Sequence, residues 1–315
     1  MKLLTLILSL LLVFSSCERV HDTIDPQISY SVPEKYLRSL STPFEPLTNE
    51  ELSSVWGQEF VIAQAFASQL DLYRAITTYK RAQFLIPQSN QVRIREIQYK
   101  IILCYFLGKR FSEVTSEFER SSLYSVSKDF PAYHDLLVVL YDSYLETDEL
   151  EKASYIEELI KYNYPDTNQS LEVSRSLTIG DTPSLKKIHS GSKYKGDIQL
   201  LLSEYEKNKK SPGKAQILNA ILPGAGYLYV GQKQSAVTSL LLNGLFIWAA
   251  THFFYHNHLA AGIITTSFEA GWYFGGIYGA GESAKLFNER LFESYAHNHM
   301  VKNSLFTPLM LRYGF

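Results

Sequence analysis

Two polar side chains interrupt the apolar runs in the last third of the chain, and they are the residues best placed to do chemistry. Asn243 lies in the apolar run 236–255, and Glu269 lies in the run 259–280. A carboxylate among apolar side chains is costly to ionise, so Glu269 should either share a hydrogen bond or exchange a proton. Two hypotheses follow: a structural clasp between Asn243 and Glu269, or a role for Glu269 in proton or ion handling.

The histidines are the next candidates for chemistry. His252 and His256 are one helical turn apart and could share a metal ion, and His297 and His299 form a second close pair. No nearby cysteine or acid completes either set, so the sequence predicts no metal site and no cofactor. The chain also contains no glycine-rich phosphate loop, no H-E-x-x-H and no G-x-S-x-G motif. These observations argue against an enzyme.

Length and composition set broad limits on the fold. A chain of 315 residues has room for two domains, or for one domain and a membrane module. Its 46% hydrophobic and 20% charged residues are close to the averages of globular proteins, so most of the chain can bury a core. The net charge of −2 argues against a nucleic-acid-binding protein, which would normally present a basic face.

The N-terminal segment is typical of an export signal. Lys2 precedes an apolar run at 3–14, which is shorter than the ~20 residues that span a bilayer. Together with the small residues before Cys17, this run resembles a bacterial lipoprotein signal. The resemblance implies cleavage after residue 16 and lipidation of Cys17, although Phe14 stands where leucine is usual. The alternative is an ordinary or uncleaved signal with an incidental cysteine.

From about residue 51 the apolar residues follow helical periods. Phe66, Tyr105 and Tyr144 recur at a constant interval of 39 residues, and Ala75 and Ala153 occupy equivalent small positions after the first and third. A small residue lets a second helix approach the first, while the aromatic side chain fills the adjoining space. Neither helix can bury its apolar stripe alone, so neighbouring hairpins must stack.

This pattern resembles the tetratricopeptide repeat family over residues 51–169, in three degenerate copies. The interval exceeds the ~34 residues of the standard unit, so each copy should carry extra residues in a loop or a longer helix. Val114 and Ser121 weaken the second copy, and Glu157 replaces an aromatic residue in the third. The resemblance implies a binding surface for peptides or proteins and no catalysis. Another array of amphipathic helical hairpins is the alternative.

The segments around the two main regions are expected to be simple. Residues 17–50 contain four of the 11 prolines and should form an extended tether with one short helix near 34–40. Residues 170–213 carry turn signals and should form a linker with a short helix at 197–207. The tail, 301–315, ends in alternating residues that resemble the terminal strand of outer-membrane barrels, so we expect a short edge strand or an irregular tail.

The region 214–300 is predicted to be a membrane-associated helical hairpin. A glycine- and proline-broken entry leads into the two apolar runs, each of membrane-spanning length. Its motifs resemble a bacterial family of small integral-membrane domains that open with P-G-x-G-[QY]-x-Y-x-G. Tyr227 stands where many members carry glutamine. The matching residues are Pro223, Gly224, Gly226, Tyr227, Tyr229, Gly231, Asn243, Trp272, Gly275 and Asn288.

Glycines give the second apolar run a stripe of small residues. Gly275 and Gly279 form a G-x-x-x-G pair, a pattern that allows close contact between membrane helices. We expect this stripe to support contact within the hairpin and also a homo-oligomer. A buried core helix of a soluble domain is the alternative, because Glu269 and the glycines dilute the apolar signal.

The charges around the hairpin conflict with the export signal. Lysine and arginine flank the two runs on both sides, whereas the turn at 256–258 has none. The positive-inside tendency would place both flanks in the cytoplasm, but an export signal would place the repeats outside the inner membrane. We give the signal more weight. Alternatively, the hairpin is only partly embedded and does not cross.

The sequence therefore predicts an all-α protein with a helical-hairpin solenoid followed by a transmembrane helical hairpin. The favoured function is a membrane-attached protein–protein interaction scaffold in the bacterial cell envelope, with the repeats on the exported side and the inner membrane favoured over the outer. Membrane lipid and an envelope protein or peptide are the expected partners. The alternative is a small membrane assembly or transport component in which the hairpin oligomerises and Glu269 is functional.

Overall fold

The computed structural model describes residues 20–30, 34–188 and 191–315, and every regular element in them is a helix. No strand occurs in this part of the chain, so the all-α prediction is confirmed. The chain forms two compact units. The repeat unit comprises residues 29–175 and 299–315, and the hairpin unit comprises residues 176–298 with residues 20–28.

Sixteen α-helices and one short 3₁₀ turn are present in the described residues. In chain order the helices are α1 (Glu34–Ser39), α2 (Asn49–Ser53), α3 (Val55–Ser68), α4 (Leu72–Leu85), α5 (Gln91–Leu107), α6 (Phe111–Arg120), α7 (Tyr133–Glu146), α8 (Leu150–Asn163), α9 (Pro165–Thr178), α10 (Thr182–Lys186), α11 (Lys195–Asn208), α12 (Pro212–Ile221), α13 (Ala225–Tyr229), α14 (Lys233–Tyr255), α15 (Leu259–Lys302) and α16 (Thr307–Met310); the 3₁₀ turn is Ser122–Ser125.

Three helical hairpins, α3–α4, α5–α6 and α7–α8, form the repeat unit. The same turn joins the two helices each time. A non-glycine residue takes a left-handed conformation at Leu70 (φ 61°), Lys109 (φ 54°) and Asp148 (φ 59°). The next backbone N–H donates to the carbonyl of the aromatic residue that lies two positions before the end of the first helix, at 3.0, 2.9 and 2.8 Å. The 39-residue period therefore exists in the backbone as well as in the side chains.

The residues predicted to close each hairpin lie in one hydrophobic core. Ala75 and Ala153 are buried, as are Tyr105 and Tyr144, and Phe66 packs against the same core while remaining partly exposed. Cys104 is a buried free cysteine in the same core. The apolar stripes of the first and second helices thus meet as the periodicity predicts.

The extra residues of the longer repeat are not placed alike in each copy. Helix α5 has 17 residues, whereas its partner α6 has only 10, four fewer than α4 and α8, which have 14 each. After α6 the chain needs residues 121–132, including the 3₁₀ turn, to reach α7. The second copy therefore has a short second helix and a long connection, which leaves room beside α8.

A buried charge network ties the segment before α2 to α5. The Arg93 guanidinium lies 3.0 Å from a Glu51 carboxylate oxygen and 2.7 Å from one of Glu96, and it also donates to the backbone carbonyls of Glu45 and Pro46. Phe44, from the segment predicted to be an extended tether, lies in the core of the repeat unit. The predicted helix near residues 34–40 corresponds to α1.

One turn beyond Glu96, the side chain of Lys100 is fully buried. Its ammonium lies 3.8 Å from a Glu96 oxygen and over the rings of Phe44 and Phe60, at 5.7 and 5.6 Å from their centroids. Burial lowers the pKa of Lys100 to about 8, although the charge of Glu96 acts in the opposite direction. The repeat unit therefore holds a cation whose charged form is disfavoured.

Of the two forms expected for the C-terminus, the structure shows no edge strand and an irregular end that follows a short helix. Residues 307–310 form α16 and residues 311–315 follow without regular structure. The Asp135 carboxylate accepts hydrogen bonds from the backbone N–H groups of Arg312 (2.9 Å) and Tyr313 (2.8 Å), and Leu311 is buried in the core. The backbone of the tail is satisfied by a side chain of α7 rather than by a neighbouring strand.

The hairpin unit contains the longest helix of the described chain. Helix α15 has 44 residues, which corresponds to about 66 Å at 1.5 Å per residue. The predicted second span, 259–280, is its first half, and the helix continues through a charged second half without a break. Within the hairpin unit, Tyr205 of α11 packs edge-on against Phe292 of this second half, with ring centroids 5.4 Å apart.

Candidate membrane-binding surface

The proline–glycine entry of the hairpin unit is a tightly packed corner. The Asn219 side chain, almost fully buried, accepts a hydrogen bond from the backbone N–H of Gly224 at 2.8 Å. Gly224 follows Pro223 and has φ +94°, and a Cβ placed there would lie 2.3 Å from the carbonyl oxygen of Ala236. Only glycine combines this left-handed backbone with such a close approach to α14.

Gly226 and Gly279 bring α12, α13 and α15 into direct contact. A Cβ on Gly226 would lie 2.3 Å from the carbonyl oxygen of Ala215 and 2.7 Å from the Cβ of Ala280. A Cβ on Gly279 would lie 2.4 Å from the Tyr227 hydroxyl oxygen, so the tyrosine takes the space of the absent side chain. These motif residues act as packing elements.

Two further motif residues lie where the corner meets the lysine-rich segment before α12. The Tyr229 hydroxyl accepts a hydrogen bond from the backbone N–H of Ser211 at 3.2 Å. The ammonium groups of Lys210 and Lys214 lie over the Tyr229 ring, at 5.1 and 5.0 Å from its centroid. Gly231 has φ +85° and ends the turn before α14.

Asn288 acts as a clamp on the same segment. It is fully buried, its amide donates to the carbonyl of Lys210 at 2.7 Å, and its oxygen accepts from the N–H of Lys210 at 2.7 Å. The amide also lies 3.0 Å from a carboxylate oxygen of Asp22. Asn288 therefore satisfies both backbone groups of one residue at the start of the module, which is a structural role.

The hydrogen bond expected between Asn243 and Glu269 is not formed. The Asn243 amide donates instead to the carbonyl of Ser239, one turn earlier in α14, at 2.6 Å. The Asn243 Oδ1 and Glu269 Oε2 atoms are both buried without a hydrogen-bond partner. The hydrogen bond of the clasp hypothesis is therefore absent from the structure, where the Asn243 amide bonds within its own helix. Each helix of the hairpin is left with one buried oxygen that has no hydrogen-bond partner, Asn243 Oδ1 on α14 and Glu269 Oε2 on α15.

Helix α14 has an apolar surface that the protein does not cover. The most apolar 18-residue stretch of this 23-residue helix has a mean hydropathy of 1.4, and only 17% of that stretch is buried. Leu241, Leu245 and Trp248 are 66%, 56% and 63% exposed. In length and composition this helix can cross a membrane, and it is the one helix that meets these criteria among residues 20–30, 34–188 and 191–315. The first predicted span is therefore apolar and exposed along its length.

The second predicted span does not meet the same criteria, so a transmembrane hairpin is not confirmed. Hydroxyl residues, glycines and Glu269 reduce the hydropathy of the first half of α15. Ile263, Ile264 and Phe268 are nevertheless exposed on it, as is Trp272. The surface of α14 therefore continues onto α15 with lower hydropathy.

The glycine stripe of α15 is only partly packed. Gly276 lies beside α14, where a Cβ would be 4.0 Å from the Ser239 hydroxyl, whereas a Cβ on Gly275 would meet no atom within 4 Å. Gly275 and Trp272 instead line a cleft of about 520 Å³ whose other wall carries the polar side chains of α14, Gln234, Ser235, Thr238 and Ser239. The two glycines of the G-x-x-x-G pair thus have different surroundings, Gly279 packed and Gly275 open.

The histidine pairs do not form part of a larger cluster. The rings of His252 and His256 lie 4.4 Å apart, and His252 also stacks on Trp248 at 5.6 Å. In the part of the chain that the structure describes, no three or more histidine, cysteine, aspartate or glutamate side chains converge as a metal site would require. Cys17 and the signal at 1–16 lie outside the described residues.

The sequence placed Asn219 and Tyr273 within the motif region but predicted no role for either, and both hold the corner together. The Tyr273 hydroxyl donates to the carbonyl of Ala220 at 2.5 Å and joins α15 to α12. Asn219 stands four residues before Pro223, so N-x-x-x-P-G was available as a signal for a side chain that caps the break. No family model, no curated protein and no solved structure matches this chain.

Proposed function

We propose that the protein is a membrane-attached scaffold for protein–protein interactions in the bacterial cell envelope, with no catalysis of its own. The uncovered apolar surface of α14 carries this proposal. Water would have to solvate Leu241, Leu245 and Trp248, whereas lipid would surround them without cost. The lysines over Tyr229 lie near the start of the module, where lipid headgroups would meet positive charge and aromatic rings.

The repeat unit supplies the interaction part of the proposal. Its stacked hairpins resemble the tetratricopeptide repeat family, whose arrays bind peptides and proteins on extended surfaces. The signal before Cys17 supports export, lipidation of that cysteine and placement of the repeats on the exported side. The inner membrane is favoured over the outer because the anchor is helical.

The membrane part is tested with the double variant Leu241→Arg/Leu245→Arg in the full chain. The experiment uses a Cys17→Ser background, so that a lipid anchor cannot mask the result. Each arginine at the centre of a spanning helix costs about 2.5–3.5 kcal/mol. We expect the Cys17→Ser parent to stay in the membrane pellet after an alkaline carbonate wash and the double variant to be released.

The matched control is Val55→Arg/Val92→Arg, which places the same charges on side chains 65% and 73% exposed in the repeat unit. This control should stay in the pellet. Release of the Cys17→Ser parent itself would contradict an embedded hairpin, and retention of both double variants would show that α14 is not in lipid. Labelling of the wild type with a radioactive fatty acid, lost in Cys17→Ser, tests the lipid anchor separately.

The second candidate function is a small transport or assembly component, and the unpaired Glu269 and Asn243 oxygens favour it. An acid without a partner inside an apolar hairpin is available to a proton, an ion or a second copy. The test is proton flux into liposomes that contain the full chain. Glu269→Gln should abolish the flux while Glu282→Gln, on the charged half of the same helix, preserves it. Absence of flux in the wild type would rule this candidate out.

A further inference from the structure

The short helix α6 leaves a groove on the repeat unit between the second helices of two hairpins. The groove has a volume of about 630 Å³, within the size range of ligand sites. Helix α7 is its floor, where Leu136, Leu137 and Leu140 are all buried. Helix α6 and the 3₁₀ turn form one wall, and α8 forms the other.

The other side of the same floor helix is already occupied by the chain itself. Asp135 binds the backbone of Arg312 and Tyr313, and Leu311 is buried in the core beside it. The first helix of the third hairpin therefore contacts the tail through Asp135 and lines the groove through Leu136, Leu137 and Leu140. The groove lies above these three leucines, and its accessible surface comes mainly from side chains on its two walls.

Tyrosines stand at the edges of the groove. Tyr124, from the 3₁₀ turn, is 75% exposed and Tyr155, from α8, is 66% exposed, on opposite walls. Tyr133 and Tyr144 line it from α7. Tyrosine at the rim of an apolar groove is typical of protein–protein contacts, because the ring buries a large area at low entropic cost and its face attracts cations.

Acidic side chains give the groove a negative charge. Glu119, Glu151 and Lys152 line it. The Lys152 ammonium is held by two carboxylates, at 2.5 Å from Glu119 and 2.6 Å from Glu149. The three charged side chains that line the groove thus carry a net charge of −1, and Glu151 lies outside the ion pairs of Lys152. A complementary ligand therefore brings a cation as well as an apolar side chain.

We propose that this groove binds a short segment of another protein, which places a large apolar side chain on the α7 floor and an arginine or lysine beside Glu151 and the tyrosine rim. The proposal rests on the scaffold function and gives it a site and a ligand class. An acyl chain would fill the floor equally well but would leave the acidic rim without a counter-charge. For that reason the charge of the groove favours the peptide.

The test uses the full chain in lipid nanodiscs and a phage library of random 12-residue peptides. We expect enrichment of peptides that combine leucine or an aromatic residue with arginine or lysine. Synthetic copies labelled with fluorescein are then titrated by fluorescence anisotropy. Glu151→Lys and Tyr155→Ser should each weaken binding about tenfold or more, as central interface residues do. Neither position is buried, so both variants should fold.

Each variant has a matched control on another second-helix surface. Glu158→Lys reverses an exposed charge elsewhere on α8, and Tyr73→Ser removes a tyrosine that is 77% exposed on α4. Both should bind within about twofold of the wild type. No enrichment, peptides insensitive to both groove variants, or equal losses in the controls would overturn the proposal. Displacement of the peptide by oleate at micromolar concentration would assign the groove to lipid instead.

Failure of the groove is distinguishable from failure of the scaffold function. The same nanodisc sample is photo-crosslinked in envelope extract with a benzophenone probe at Tyr73 or at Tyr155. A partner crosslinked only from Tyr73 would preserve the scaffold and remove the groove. A partner crosslinked from Tyr155 and lost with Glu151→Lys supports both.

Discussion

The two units solve the same helix-packing problem with opposite side chains. The repeat unit brings helices together with an aromatic residue on one helix and alanine on the next, such as Tyr144 and Ala153. The hairpin unit uses glycine, and Gly226 leaves no room for even a methyl group beside Ala215 and Ala280. Burial of large apolar side chains is favourable because it removes apolar area from water. Close contact between backbones is favourable without water. The difference fits a repeat unit in water and a hairpin in lipid.

The largest effect is expected from filling the glycine corner. Gly226→Val would force side-chain atoms into the carbonyl of Ala215, where even a Cβ would lie at 2.3 Å, and should destabilise the hairpin unit by about 3 kcal/mol. The measurement is hydrogen–deuterium exchange of the full chain, followed peptide by peptide. Exchange should rise in α12 and α13 and stay unchanged in α3–α8.

The control for this prediction is Gly244→Ala on α14, where an added Cβ meets no atom within 4 Å. Alanine favours a helix interior over glycine by about 0.5–1 kcal/mol, so this variant should be neutral or slightly stabilising. If α12 and α13 exchanged hydrogen equally slowly in Gly226→Val and in the wild type, the corner would accommodate the larger side chain without destabilisation. The contrast between the two units would then be lost.

A medium effect is expected where the tail joins the repeat unit. Asp135→Ala removes the acceptor of two backbone N–H groups and the partner of the His134 ring nitrogen, which lies 2.7 Å away. A buried group left without a partner costs about 1–3 kcal/mol. The two N–H groups are only partly buried and can turn to water, whereas the His134 ring nitrogen is buried, so we expect a loss of about 2 kcal/mol, felt by the tail first. Limited proteolysis should release residues 311–315 much faster than from the wild type. An unchanged cleavage rate would mean that apolar contacts alone hold the tail.

The smallest effect has the opposite sign and concerns Lys100. Burial lowers its pKa in the folded state from 10.5 to about 8, so the folded protein binds this proton less readily than the unfolded chain does. The destabilisation caused by this buried charge should therefore be full and independent of pH below about 8, and the stability of the wild type should rise as the pH goes from about 8 to 10.5. Lys100→Met should be about 1 kcal/mol more stable than the wild type at pH 7, and the gain should shrink by pH 10.

The measurement is denaturant-dependent hydrogen exchange of α5 at pH 7 and pH 10, compared between the two proteins. Arg93 remains to pair with Glu96 in the variant, at 2.7 Å, so no carboxylate is left without a cation. A variant less stable than the wild type at pH 7 would show that the contact with Glu96 outweighs burial. Lys80→Met, at a half-exposed side chain on α4, serves as the control and should show no such gain.

The sequence was informative where side-chain type alone sets the position. Periodic aromatics and alanines predicted the hairpins of the repeat unit, because apolar stripes of that spacing must face one another. The turns were not visible as a repeated signal, since Leu70 and Lys109 are not residues that usually indicate a left-handed backbone and only Asp148 is of a type enriched there. In the hairpin unit the glycines were found, but their partners, the carbonyls of Ala215 and Ala236, are backbone atoms that no residue type reveals.

Two other expectations failed because a polar group had more than one possible hydrogen-bond partner. A sequence does not show which partner the group takes. The Asn243 amide could bond across the hairpin or to its own helix, and the carbonyl of Ser239 is always within reach. The tail could pair with a strand edge, but this all-helical chain offers the Asp135 carboxylate instead. The groove beside α6 depends on a helix that ends four residues early, and helix ends are the least certain part of any sequence prediction.

The left-handed residues at Leu70, Lys109 and Asp148 have a consequence for how this architecture can diverge. The three turns repeat the same backbone angles every 39 residues, although their side chains are chemically unrelated. Substitutions at each turn, and many substitutions at each aromatic position, can therefore occur without changing the spacing between successive hairpins. Distant relatives of this chain would keep these torsion angles at the same 39-residue interval after their sequences had become dissimilar.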